Sequence, residues 1–176
     1  MLKAMPNEVD GEWEGRRFVM FRSPLAGELA LFSEECGPDA MRLGYRWDAP
    51  RSLVTDEAGL SFHQLTGPHG RSVGDFIGWA IVWSDPRCPE DTELTIGVRP
   101  RYVGRGYRRL ILEGASQLAI RAGARWVTAG VWSDNDKQLD RYFDDAKRGS
   151  AFQPAGVVLK PGASWYLFTR VVVSGG

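Results

Sequence analysis

The sequence has only two cysteines, two histidines and no long hydrophobic run. Each shortage excludes something. Cys36 and Cys88 lie far apart, so their spacing writes no disulfide framework, and a reduced, cytoplasmic protein is the expected setting. His63 and His69 make no metal-type spacing with either cysteine, so no metal centre is expected. No apolar stretch approaches the ~20 residues that span a bilayer. The opening MLKAMPNEVDGEWEG lacks an apolar h-region, so no secretory signal is expected either. A charge surplus is missing too: 22 basic side chains face 22 acidic ones. A neutral chain argues against general polyanion binding, though a local basic patch remains open.

What is present is ordinary for a globular enzyme or binding module. With 176 residues, 43% of them hydrophobic, the chain can bury a sizeable core. There is no repeat, low-complexity block or linker, so a single domain over residues 1–176 is the expectation.

Period and punctuation give the elements. Arg17–Arg22 reads as a first strand. Ser23-Pro24 offers a helix start, and Leu25, Leu29, Leu31 and Phe32 suit a helix ending before Gly37-Pro38. Residues 39–60 are ambiguous: Asp48-Ala49-Pro50 could start a second short helix that Gly59 closes. Leu60–Thr66 reads as a strand, Gly67–Gly70 as a turn, and Phe76–Trp83 as a buried central strand. Glu93–Val98 alternates, with Leu94, Ile96 and Val98 on one face. From Gly106 the period becomes helical through Tyr107, Leu110, Ile111, Ala115, Leu118, Ala119 and Ala122, with Gly123 closing the helix. Trp126–Trp132 is the next strand. Ser133, Asp134 and Asn135 are cap candidates for a short helix carrying Leu139, Tyr142, Phe143 and Ala146. Ala155–Leu159 and Ser164–Val172 read as a closing hairpin. The strand–helix–strand unit centred on 106–123 implies a parallel strand pair.

One segment stands out. From Val98 to Leu110, VRPRYVGRGYRRL holds five arginines and two glycines spaced by one residue, between a strand and a helix. The free N–H groups of a first helical turn, with those of the loop before it, make an anion site. Gly104 and Gly106 let backbone approach a ligand closely. Arg101, Arg105, Arg108 and Arg109 add positive charge, and the sum suits a pyrophosphate. No Gly-Lys-Ser/Thr follows, so it is not a P-loop, and the third glycine of a dinucleotide fingerprint is missing. The alternative is a tight strand-to-helix turn with surface arginines.

Arg101-Tyr102-Val103-Gly104-Arg105-Gly106 resembles the Arg/Gln-x-x-Gly-x-Gly/Ala loop of the GNAT superfamily of N-acetyltransferases. Leu94–Val98, the Val98-x-Pro100 step, the following helix, the Trp126–Val131 strand and Asn135 continue the match. Tyr142 stands seven residues after Asn135, a spacing similar to the family's asparagine and tyrosine. The resemblance is specific over residues 76–143. It implies an α/β (α+β) fold: a mixed sheet of six or seven strands flanked by about four helices and splayed between strands 4 and 5. It also implies acetyl-CoA in that splay as acyl donor. The pantetheine arm would pair with backbone around Ile96 and Val98, and the pyrophosphate would lie on N–H groups from Val103 to Tyr107, with Arg101 and Arg105 beside it. Asn135 would hold the pantetheine or the helix start, and Tyr142 would protonate the departing thiolate. The sequence departs from the family pattern after Tyr142, where Asp144–Ser150 intervenes before Ala151-Phe152.

The implied chemistry is acyl transfer from a thioester to a primary amine, which must lose a proton before attack. Glu93 is the candidate base, with an ordinary strand residue as its alternative. Asp134 is a second candidate, with helix capping as its other use. A strand N–H near Ile96 would stabilise the thioester oxygen. Tyr45, Trp47 and Trp165 are aromatic candidates for an acceptor pocket that takes a small-molecule or peptide amine. Three classes stay open: an N-acyltransferase, a CoA-binding structural or regulatory module without turnover, and a nucleic-acid binder, which the neutral charge disfavours. A homodimer is also open, and no membrane partner is expected.

Overall fold

The computed structural model describes residues 8–13, 16–22, 26–36, 56–66, 72–84, 87–160 and 162–171. Along the chain these form β1 (Glu8–Trp13), β2 (Arg16–Arg22), α1 (Ala26–Cys36), β3 (Asp56–Thr66), β4 (Ser72–Ser84) and β5 (Asp91–Val98). A 3-10 turn at Pro100–Tyr102 leads to α2 (Tyr107–Arg121), then β6 (Trp126–Trp132), α3 (Asp136–Lys147), β7 (Gln153–Lys160) and β8 (Ala163–Val171). The strands make one eight-stranded sheet in the order β1-β2-β3-β4-β5-β6-β8-β7. Neighbours are antiparallel except β5 and β6, which run parallel as the intervening helix requires.

Both faces of the central strands are buried. On one face Ile77, Ala80, Val82, Leu94 and Ile96 pack with Ile111, Ala115 and Leu118 of α2 and with Tyr142 of α3. On the other, Phe76, Trp79 and Ile81 pack with Phe32 of α1, whose ring meets Trp79 edge-on at 5.5 Å. This two-sided burial explains why Phe76–Trp83 is continuously apolar rather than alternating.

The mixed α/β class and its central parallel pair match the sequence expectation, with differences at the edges. Eight strands are present among the described residues, against the six or seven expected. The extra strand is β1, where Glu8, Asp10 and Glu12 interrupt the apolar pattern; charge is common on edge strands because it blocks further pairing. Gly59 does not close a helix. It lies inside β3 and pairs with Ile81 of β4. The pairing of β3 with the long β4 extends both strands beyond their apolar runs, to Asp56 and Ser72. Three α-helices occur among the described residues. The Asp48-Ala49-Pro50 helix start and the Gly67–Gly70 turn lie outside them.

Candidate acyl-donor site

The site begins where two strands part. β5 and β6 pair over four residues only, from Asp91 opposite Trp126 to Leu94 opposite Ala129. Beyond that the ends of both strands diverge, so the splay expected between strands 4 and 5 falls between β5 and β6 once β1 is counted. Each strand carries a glycine past the last pair, and each glycine lies under an indole. A Cβ at Gly97 would collide with the ring of Trp79, and one at Gly130 with the ring of Trp165. Trp165 also packs on Trp132, with ring centroids 4.6 Å apart. These tryptophans border the splay on the face opposite α2.

The strand exit is anchored before it reaches the glycine loop. Arg99 is buried, and its side chain donates to Glu35 of α1 through both Nε and Nη2, and to the Phe76 carbonyl through Nη1 at 2.7 Å. These bonds hold the Glu35 carboxyl below its usual pKa and raise that of Arg99. The Tyr102 hydroxyl donates to Asp75 at 2.6 Å; burial, then this bond, raises its pKa. Arg101 joins the same carboxylate at 3.4 Å. One strand, β4, and one helix, α1, thus fix the residues just ahead of the loop.

Gly104 and Gly106 both take φ of +85°, the left-handed region that favours glycine. Gly106 is the N-cap of α2 and provides no side-chain cap, and the first turn holds no acidic residue. The start of that turn, with no side chain closing it, faces the mouth of the splay at the positive end of the helix; of its N–H groups, that of Arg109 donates to the Gly106 carbonyl at 3.1 Å. Beyond its chain neighbours, a Cβ at Gly104 or Gly106 would meet no atom of the described residues within 4 Å, so the loop surface is open rather than packed.

A cavity of about 470 Å³ occupies this junction. Of the residues expected at the site, Ile96, Val98, Val103, Gly104, Gly106, Tyr107 and Asn135 line it. Asn135 is the cap that α3 uses: its side chain accepts from the Gln138 N–H at 3.3 Å and donates to the Gln138 side chain at 2.9 Å. Ser133 and Asp134, the other cap candidates, lie too early in the chain to cap it.

The remaining expected residues stand outside the lining. Arg101 lies on Asp75, and the guanidiniums of Arg101 and Arg105 sit over the Tyr102 ring at 5.0 and 5.8 Å from its centroid. Glu93 pairs with Trp83 in the strand register, on the face of β5 that carries Thr95 and Gly97. Tyr142 is buried beside Arg108, whose guanidinium lies 4.4 Å from its ring centroid, and its ring stacks on Phe168 at 4.7 Å. Burial pushes its hydroxyl pKa above the ordinary tyrosine value, and the Arg108 charge opposes that rise. Tyr45 and Trp47 lie outside the described residues.

Sequence reasoning missed the α3 side of the cleft. Gln138, Lys137, Arg141 and Asp145 line it, as does Arg108 from α2. The i, i+4 spacing of Lys137 and Arg141, starting two residues after Asn135, was the available signal. A second cleft of about 650 Å³ runs along α2, lined also by β1, β2 and the segment 148–152 after α3. Its charges are mixed, and Arg170 there is paired with Glu113 at 2.8 Å.

No family model matches the sequence, and no curated protein matches it. Solved structures do. A mutant of the spermidine N-acetyltransferase of Vibrio cholerae aligns with a TM-score of 0.62 at 11% identity, covering 88% of this chain and 93% of its own. A candidate acetyltransferase of Salmonella typhimurium, solved with its cofactor acetyl-CoA, aligns with a TM-score of 0.58 at 16% identity over 89% of this chain and 95% of its own. A candidate acetyltransferase of the GNAT family from Desulfovibrio desulfuricans aligns with a TM-score of 0.60 at 17% identity over 89% and 99%. At such identities the likeness speaks for architecture: the chain has the fold of the GNAT acetyltransferases.

Proposed function

We propose that the chain is an acyl-CoA-dependent N-acyltransferase that moves an acetyl or similar acyl group to a primary amine. One observation carries the reading. The sheet opens at the point where a loop with two left-handed glycines delivers the uncapped start of α2. The unpaired edge of β5 suits an extended amide-bearing arm, and the helix start suits a diphosphate. The residues fit such a donor: Ile96, Gly97 and Val98 supply a slender wall, while Arg108, Arg109, Lys137 and Arg141 supply charge toward the mouth. Acetyl-CoA bound to the Salmonella structure supports the choice of donor.

In this reading the amine approaches from the face bordered by Trp79 and Trp165. Its nitrogen bonds to the thioester carbonyl carbon, the carbon–sulfur bond breaks, and the thiolate takes a proton. A backbone N–H near Ile96 stabilises the carbonyl oxygen. Tyr142 is the proton donor, and Glu93 takes the amine proton through water, since it does not line the cleft itself.

A CoA-binding module without turnover is the second reading. It is favoured by the cover that Arg108 places over Tyr142, and by the extension of α3 to Lys147 before a turn at Gly149. Calorimetric titration with acetyl-CoA tests the shared part. Micromolar to sub-millimolar affinity is expected, and no heat at millimolar CoA would remove both readings. A screen of amine acceptors with thiol detection separates them: thiol release that depends on an amine selects the transferase.

A further inference from the structure

Arg108 has three relationships that no single role explains. Its Nη2 donates to Asp145 Oδ2 at 2.6 Å. Its guanidinium sits over the Tyr142 ring, 4.4 Å from the centroid. Its Nη1 is buried and finds no hydrogen-bond partner among the described residues. A buried donor on a cation is costly to leave unmade, so it is retained where something else completes it. The residue also lines the cleft, immediately after Tyr107, whose N–H belongs to the anion-binding turn.

Resting on the acyl-CoA reading above, we propose that Arg108 is a positioning residue for Tyr142 and the movable contact for the ligand's phosphates. Without ligand, Asp145 and the Tyr142 ring hold the guanidinium across the tyrosine, at the wall of the cleft. A diphosphate on the first turn of α2 offers the same guanidinium a partner of higher charge, with acceptors for Nη1 as well as Nη2. Turning to it draws the cation off the ring and opens Tyr142 toward the splay. The nucleotide end of the ligand thereby prepares the group that acts at the thioester end. Binding shifts the equilibrium because the two positions of Arg108 differ in their contacts with ligand.

Half-ligands separate the two ends. ADP carries the diphosphate without the thiol, and pantetheine the thiol without phosphate. The full chain is labelled with carbon-13 at tyrosine Cζ, and the Tyr142 resonance is assigned by its loss in Tyr142→Phe. ADP is expected to move that resonance in the unaltered protein, and pantetheine alone to leave it in place. In Arg108→Lys the charge remains but the planar fork is gone; ADP should bind about fivefold or more weakly and the Tyr142 response should largely disappear. Arg108→Gln should both raise KM for acetyl-CoA and lower kcat, where a residue that only binds phosphate would move KM alone. Binding of ADP, seen as a melting shift, with an unmoved Tyr142 resonance overturns the proposal and leaves the acyl-CoA reading standing. So does an equal response in Arg108→Lys. No melting shift with ADP or CoA overturns both.

Discussion

Glu35 of α1 grips Arg99 at the end of β5, with the Arg99 Nε donating to its Oε2 at 2.8 Å. The pair ties the helix on one face of the sheet to the strand that leads into the glycine loop. Arg99 is buried, while Glu35 keeps about a quarter of its side chain in water, at 26% exposure. Removing the acid leaves a buried cation whose remaining hydrogen-bond partner among the described residues is the Phe76 carbonyl. Glu35→Gln is therefore expected to lower stability by about 1–3 kcal/mol at neutral pH, read by urea unfolding.

The same pair sets a pH dependence. Hydrogen bonds from Arg99 depress the Glu35 pKa in the folded chain. Its contribution is thus complete above the unfolded-state pKa, and is lost as pH falls through the lower folded value. The stability gap between the unaltered chain and Glu35→Gln should stay constant from neutral pH down to about 4.5, the ordinary glutamate value, and close below it. A gap that persists unchanged at pH 3 would show that the carboxylate charge is not what holds Arg99.

At Gly106 the structure changes the reason for a sequence expectation. A Cβ there has room within the protein itself, so the objection to a side chain is the φ of +85° and the ligand space it would fill. Gly106→Val should weaken CoA binding by at least about tenfold, or roughly 1.4 kcal/mol. Gly123 is the matched control, with φ of +105° and open space at the far end of α2. Gly123→Ala should lower the melting temperature while leaving CoA affinity unchanged. Equal affinities in all three proteins would reduce the loop to a turn.

Gly97 and Gly130 make a graded comparison. Trp79 over Gly97 is fully buried, with 0% exposure, and has nowhere to go. Trp165 over Gly130 is only partly buried and can swing outward. Gly97→Ala should lose about 1–3 kcal/mol by overpacking, and Gly130→Ala clearly less. Thermal melts of both variants give the order, and the reverse order would contradict this account of the splay walls.

Tyr142→Phe removes one hydroxyl and keeps the stack on Phe168. If the hydroxyl protonates the thiolate, acyl-CoA affinity stays within a few-fold and turnover falls by roughly 10²-fold. Full turnover with a small loss in melting temperature would make it a core tyrosine.

Local features were legible and distant partnerships were not. The glycine loop and α2 announce themselves because a left-handed turn and a helix start each need particular residues at adjacent positions. The Asn135 cap of α3 was readable for the same reason. The burial of Arg99 was not, since the acid that satisfies it lies 64 residues earlier. Nor could the sequence show that Arg101 would fold onto Asp75, or that Arg108 would cover Tyr142; each depends on which carboxylate the tertiary fold brings near. β1 was missed because edge-strand charge looks like loop composition when no partner strand is known.

The short ladder between β5 and β6 has a mechanical meaning. An exposed sheet edge on a molecule's rim invites any other strand to dock. Here the edge lies inside the molecule, between α2 on one side and two indoles on the other. A polypeptide strand needs side-chain room on both faces as well as about 4.8 Å of lateral space. At Gly97 even a Cβ would meet the Trp79 ring, so whatever completed this sheet would have to be thin where it passes that indole. In the acyl-CoA reading the gap would work as a gauge that passes an unbranched chain of amides and methylenes and stops a neighbouring protein.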